Sequence, residues 1–421
     1  MMASIVDAGL EKWIAKVRNE VDIPLRLRMW NGSTFDLGKF SAPKVTLHVN
    51  SLRALPLLLS PDLNNLGEAY VTEKIDIEGA LPDIIDISFK LAETATDEPS
   101  RLGKLTAAVK KLGHTKEEDR ASIQYHYDVS NEFYQRWLDN NMVYSCAYFE
   151  KGEESLEQAQ IKKIDHILTK IRVQPGHTLL DIGCGWGALV IRAAEKFDAR
   201  CVGVTLSERQ FEFATERVRQ LGLQDKIQIR LQDYRDVSGQ FDRITSVGMF
   251  EHVGRANLNS YFGKINSLLA EDGVVMNHGI TSSDAESSDS PHGGGDFIDK
   301  YVFPQGELPH ISLALHAMQV GGLEVLDVEN LRRHYNRTLQ LWTERFEAAG
   351  PELRAMVGEQ KYRIWRVYLA GCAYAFDVDN VSIYQVVSKK ARQASSTIPW
   401  SRDFMYSQHK WQFGDDEWSG S

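Results

Sequence analysis

A chain of 421 residues exceeds one ordinary domain and points to two. Its 43% hydrophobic and 25% charged content belongs to a folded enzyme and excludes a disordered chain. The net charge of -10 speaks against nucleic acid as partner, because phosphate binding needs a clustered basic face; an anionic membrane would need a local basic or apolar patch. The four cysteines, Cys146, Cys184, Cys201 and Cys372, show no C-x-x-C spacing, so no metal site is expected and a reducing cytoplasm fits them. Asp7 and Glu11 interrupt the first apolar pattern, which is therefore read as no signal peptide. The apolar run Leu55–Leu59 is too short for a bilayer and contains Pro56. The expectation is a cytoplasmic protein, soluble or peripheral to the membrane.

In chain order, Val6, Leu10, Trp13, Ile14 and Val17 form a stripe at helical spacing. Leu25, Leu27 and Met29 alternate with Arg26, Arg28 and Trp30 as in a strand, and Asn31-Gly32 supplies a hairpin turn. Val45, Leu47 and Val49 alternate again. Residues 1–118 thus predict a small α+β domain, with Arg101, Lys104, Lys110, Lys111 and Lys116 marking a basic connector read mainly as a solvated helix.

Residues 119–421 predict the catalytic domain. From about residue 160, strands and helices alternate as in a doubly wound α/β sheet. The strand candidates are Thr178–Ile182, Arg200–Thr205, Lys226–Leu231, Phe241–Val247 and Gly273–His278, followed by Leu323–Val328 and Ser382–Val387. Helices fit at Ala188–Phe197 and Glu208–Leu221. Residues 281–296, rich in Ser, Asp and Gly, read as a mobile loop.

The strongest motif is Asp181-Ile182-Gly183-Cys184-Gly185-Trp186-Gly187, between an apolar strand and a helix. Glycines there let the backbone turn sharply and let a ligand approach it. The spacing is not G-x-G-x-x-G, and the next strand ends in Val204-Thr205-Leu206-Ser207 with no acidic residue for a nicotinamide ribose. Glu208 reads as the first turn of a helix capped by Ser207. Asp181 is suited to organising the loop that receives the methionine end of S-adenosylmethionine, with Gly187 completing the turn, and Cys184 reads as a small spacer.

From Tyr125 to about Lys390 the sequence resembles the cyclopropane-fatty-acyl-phospholipid synthases and the related mycolic acid cyclopropane synthases. The matching segments are Tyr125-His126-Tyr127-Asp128, the run Tyr144 to Phe149, the glycine loop, Gln232 to Asp236, Gly248 to Gly254, Lys300 to Pro304, and Tyr335 in the run ending Leu341-Trp342. Leu66-Gly67-Glu68-Ala69-Tyr70 looks like part of the extra N-terminal domain of the phospholipid-acting members. The resemblance implies a seven-stranded class I methyltransferase fold with a smaller α+β N-terminal domain. It places Tyr144, Ser145, Gly183, Gly185, Thr205, Leu206, Ser207, Gln210, Tyr234 and Arg235 around S-adenosylmethionine. It also implies a bicarbonate ion held by Cys146, Glu251, His278, Ile280 and Tyr335.

An alkene is a poor nucleophile, so the chemistry is one of positioning in a dry pocket. Methyl transfer leaves a carbocation on the acyl chain, which aromatic faces such as Phe149, Phe250 or Tyr301 would stabilise. Ring closure then needs a base of modest strength at the new methyl. Glu251 and His278 follow the fourth and end the fifth strand, where open α/β sheets bind ligands, so their functional reading outweighs a cap or a core histidine. Cys146 as a covalent nucleophile is the weaker reading, since no base adjoins it. His252 and Asp233 stand as outer groups.

The sequence departs from the resemblance at Gly279, where many members carry a larger residue, and in an aromatic tail from Ser395 that includes Trp400, Phe404, Tyr406, Trp411, Phe413 and Trp418. That tail is read first as a brace, with lipid or a second subunit, as in a homodimer, left open. The expected partner is unsaturated phospholipid in a bilayer, reached by peripheral contact through the N-terminal domain, with Arg26, Arg28, Lys39, Lys44 and the connector lysines as candidate contacts. The rival functions are a methyltransferase that makes a methyl branch or methylates a small amine, and a non-catalytic lipid-binding protein.

Overall fold

The computed structural model describes residues 12–59, 61–93, 129–285, 294–302, 306–393 and 398–407. The connector lysines, the run Tyr125 to Asp128, Phe303-Pro304, and Trp411, Phe413 and Trp418 lie outside them, as do Val6 and Leu10. Backbone contacts divide the chain into two compact units, and the division is not one cut. The first takes Met1–Leu112, Ser288–Pro304 and Trp342–Asn380; the second takes Gly113–Ser287, Gln305–Leu341 and Val381–Ser421.

In the first unit, β1 (Leu25–Met29), β2 (Thr34–Asp36), β3 (Val45–Val49) and β4 (Ile75–Gly79) form a sheet in the order β2-β1-β3-β4. Its strands alternate as the sequence does: Leu25, Leu27, Met29, Val45, Leu47 and Val49 are buried with Ile14 and Val17 from the helical residues 12–20. Leu58 belongs to this core, so the apolar run around it is not a free surface patch. The long helix Gly350–Asp377 contributes Arg363, which is buried and donates to the carbonyls of Tyr70 (3.0 Å) and Ile75 (3.3 Å) and to Asp76 Oδ1 (2.7 Å). Two of the basic residues expected to face lipid are paired within the unit: Arg26 forks onto Asp36 at 2.7 Å and Lys44 meets Asp83 at 2.9 Å.

The second unit holds a seven-stranded sheet in the order β10-β11-β9-β8-β5-β6-β7. In chain order the strands are β5 (Thr178–Ile182), β6 (Arg200–Thr205), β7 (Ile227–Leu231), β8 (Phe241–Val247), β9 (Leu269–Ser282), β10 (Leu323–Asn330) and β11 (Val381–Lys390). Strands β5 to β9 are parallel and β11 runs antiparallel to both β9 and β10. Leu179 and Leu180 are both fully buried and point to opposite apolar layers, as in a sheet covered on both faces. This is the doubly wound α/β sheet that the sequence predicts, with seven strands. Strand β9 continues through Thr281 and Ser282, which the sequence assigned to a loop, and a helix begins at Gly294.

The helices that shape the site are α1 (Leu156–Lys170), α2 (Ala188–Lys196), α3 (Glu208–Gln220) and α4 (Arg332–Ala348). Ser155 and Gln158 form a reciprocal cap at the start of α1, satisfying two of its free N–H groups. Ser207 caps α3, as its position before Glu208 predicted. The described part of the tail lies along the second unit as a brace: Met405 is buried, and Arg402 reaches Asp327 at 2.8 Å. Trp400 is fully exposed. Among the described residues no helix is long and apolar enough to cross a membrane, and none form a metal-binding cluster.

Candidate active site

The glycine loop follows β5 directly. Gly183, Gly185 and Gly187 have φ of +78°, +54° and +87°, a backbone that residues with a Cβ rarely adopt. The loop is pinned to β6 because the N–H groups of Gly183 and Cys184 both donate to the Val204 carbonyl, at 2.9 and 3.0 Å. A Cβ on Gly183 would collide with Met249, whereas one on Gly185 would meet nothing within 4 Å. Gly185 therefore faces open space.

That space is a cavity at the carboxyl ends of β5, β6 and β8. Of the residues expected around the cofactor, Tyr144, Ser145, Asp181, Gly183, Gly185, Thr205, Leu206, Gln210 and Tyr234 line it. Gly187, Ser207 and Arg235 stand behind. Gly187 starts α2, and Ser207 caps α3. Arg235 forks onto Asp233 at 2.9 and 2.7 Å. Thr205 Oγ1 accepts from the Ser207 N–H and donates to Gln210 Oε1 at 2.9 Å, which fixes the turn after β6. Asp181 is buried and accepts from Thr245 Oγ1 at 2.7 Å; burial pushes its carboxyl up to about 6.

Lys163, Trp186, Gln232 and His252 also line the cavity. Trp186 and Gln232 lie inside motifs already singled out. Lys163 was missed, because a lysine on an amphipathic helix reads as solvated. It is buried instead and donates to Ser145 Oγ at 2.8 Å; burial pushes its ammonium down to about 8, against the pull of Asp139.

The second cluster sits beyond the ends of β8 and β9. Strand β8 stops at Val247, opposite His278, so the Ile280 N–H two residues on has no partner on β8. It donates instead to Glu251 Oε1 at 2.7 Å. The N–H expected to complete an anion cradle is thus committed to Glu251. Phe250 packs against Gly279 so closely that a Cβ there would collide with its ring, and this contact seats the turn that carries Glu251. Burial pushes the Glu251 carboxyl up to about 7. His278 is fully buried, and burial, with the nearby charges of Lys163 and Lys170, holds its ring neutral, well below the usual histidine range. Glu251 Oε2 and both ring nitrogens of His278 are buried with no hydrogen-bond partner among the described residues.

Cys146 lies on the loop Tyr144–Phe149 and Tyr335 on α4, and the two meet at the Leu331 carbonyl. The Ala147 N–H donates to Thr338 Oγ1 and the Phe149 N–H to His334 Nδ1, both at 3.0 Å. Cys146 Sγ lies 3.8 Å from the Leu331 carbonyl, which also accepts the Tyr335 N–H at 3.0 Å. Burial pushes the Cys146 thiol far above its ordinary range, so it acts as a neutral S–H and not as a thiolate nucleophile. Tyr301 belongs to the first unit.

A cavity with a glycine turn, together with a buried carboxylate near neutrality flanked in sequence by the lining residues Met249 and His252 and a buried neutral imidazole, suits transfer of a group to an apolar acceptor followed by proton removal. Residues 114–386 match the family model described as mycolic acid cyclopropane synthetase. Residues 13–100 match one described as a domain of unknown function. The chain is 44% identical over 388 residues to a probable fatty acid methyltransferase of Pseudomonas putida, covering 91% of this chain and 96% of that one. It is 39% identical over 285 residues to the cyclopropane-fatty-acyl-phospholipid synthase of Escherichia coli, covering 67% and 72%. Among solved structures, mycolic acid cyclopropane synthase CmaA1 complexed with SAH and CTAB superposes with a TM-score of 0.61 at 36% identity, covering 64% of this chain and 98% of that one.

Proposed function

The chain belongs to the mycolic acid cyclopropane synthetase family and is an S-adenosylmethionine-dependent methyltransferase; from that premise we propose that it methylates the cis double bond of unsaturated acyl chains in phospholipid and closes a cyclopropane ring. The observation that carries this reading is the pair of buried, unpartnered acceptors, Glu251 Oε2 and the His278 ring, beside the residues that line the cofactor cavity. Methylation of an amine needs no such base on a carbon-bound proton.

The proposed division of labour follows the geometry. Asp181 and the glycine turn orient the methionine end of the cofactor, and Thr205, Gln210 and Tyr234 hold its other end. Burial of Glu251 and His278 excludes water, which protects a carbocation on the acyl chain from capture. Glu251, His278, Cys146 and Tyr335 would hold bicarbonate, with Ile280 acting through its hold on Glu251; the open polar atoms Glu251 Oε2 and the His278 ring nitrogens support this reading. When bound, bicarbonate would supply a base of modest strength. Glu251 Oε2 is the protein's own acceptor for the departing proton, because Oε1 is engaged by Ile280. Peripheral contact with the bilayer from the cytoplasmic side belongs to the same proposal. Of the four candidate contacts on and beside the strands, Arg26 and Lys44 are paired, which leaves Arg28 and Lys39 to serve it.

Removing bicarbonate by degassing and assaying under bicarbonate-free gas tests the base. Turnover on phospholipid vesicles is expected to fall and to recover on adding bicarbonate back, with cofactor affinity unchanged. A wild-type enzyme indifferent to bicarbonate overturns that assignment.

A further inference from the structure

We propose that Gln385 is the positioning residue that fixes the tautomer of His278, at the end of a cross-strand row that starts from the Glu329 carboxylate. The row is set by register. Glu329 on β10 pairs with Gln385 on β11, and Gln385 pairs with His278 on β9. Directly opposed residues in antiparallel strands point to the same face, so the three side chains stand side by side. Gln385 and His278 are both fully buried, and neither amide atom of Gln385 has a hydrogen-bond partner among the described residues. Buried polar groups are rarely left unpaired, and two neighbours with their whole hydrogen-bonding capacity open are suited to each other.

The direction of the row follows from what each group can do. Glu329 takes His166 Nε2 at 2.7 Å and Lys170 Nζ at 2.5 Å, both on Oε2. Burial alone would push its carboxyl up, but these two partners outweigh burial and hold it down to about 2. An ionised carboxylate only accepts hydrogen bonds, so the Gln385 amide must turn its NH2 toward Glu329. Its carbonyl then faces His278 and takes the ring N–H. A neutral imidazole has one N–H, so the other ring nitrogen is left with a lone pair. His278 thereby serves the site as a hydrogen-bond acceptor. This inference rests on the proposed role of the cluster.

The test reads the tautomer in the resting, full-length enzyme carrying 15N-labelled histidine, with the His278 signals assigned by their loss in His278→Gln. The wild type is expected to show one protonated and one bare ring nitrogen in a single neutral tautomer. Gln385→Met, which keeps the volume and removes the amide, should show averaged shifts from two tautomers and a turnover lower by about tenfold or more, as for a lost outer partner, with cofactor affinity within about twofold by calorimetry. Gln385→Glu, protonated in this dry setting, should restore the single tautomer. A single tautomer retained in Gln385→Met overturns the proposal, as do mixed tautomers in the wild type, a result that stands even if the variant does not fold. Because no bicarbonate is added, these outcomes are distinct from those of the degassing experiment.

Discussion

Glu251→Gln is expected to lower turnover on unsaturated phospholipid by about 10²-fold or more, as for a lost general base, while cofactor affinity stays near that of the wild type. The glutamine amide oxygen can keep the hydrogen bond from Ile280, which meets Oε1 at 2.7 Å, so the turn stays in place. What changes is Oε2, the buried oxygen without a partner. The pH dependence gives the same test a sign. Burial raises this carboxyl to about 7, so it is protonated below that value and competent to accept a proton above it. Wild-type turnover should fall about tenfold per pH unit below 7, and the variant should show no such limb. Stability moves the other way. A raised pKa in the folded state means that ionising Glu251 weakens the fold between about 4.5 and 7, so the glutamine variant should melt no lower than the wild type at pH 8. A variant with near-wild-type turnover at pH 8 contradicts the assignment.

Gly185→Val is expected to abolish measurable S-adenosylmethionine binding. At φ +54° a branched residue strains the turn by roughly 1–2 kcal/mol, and the side chain would stand in space where nothing lies within 4 Å. That space belongs to the cavity. The contrast with Gly183 matters, because a side chain there would collide with Met249 and disturb the fold itself. Isothermal calorimetry with the cofactor, beside a thermal melt, separates the two effects. Unchanged affinity in a folded Gly185→Val protein would show that the ligand does not lie over this turn.

The alternating strands and helices of the second unit were legible because β5, β6 and β8 are apolar runs bounded by turn residues, and their predicted ends coincide with the observed ones. Strand β9 was foreshortened. Ala270-Glu271-Asp272-Gly273 carries turn chemistry, yet the strand starts at Leu269. The first unit's use of Trp342–Asn380 could not be read from local pattern, since Arg363 finds its carbonyl partners nearly three hundred residues away in sequence. The same holds at the site. Glycine turns and the Ser207 cap are local signals and were found. The Glu251–Ile280 bond is not local, and it withdrew one expected donor from the cradle. Lys163, His166 and Lys170 follow one helical stripe that reads as solvated, yet all three are buried against Ser145, Glu329 and Asp327.

The most direct measurement of the central claim is incubation of the purified enzyme with methyl-labelled S-adenosylmethionine and vesicles of cis-unsaturated phospholipid, followed by mass and proton analysis of the acyl chains. The proposed function predicts an added labelled CH2 with the high-field ring protons of a cyclopropane and loss of the olefinic signals. A labelled methyl branch on the chain would instead place this enzyme with the rival methyltransferases, and an unlabelled lipid would contradict the account altogether.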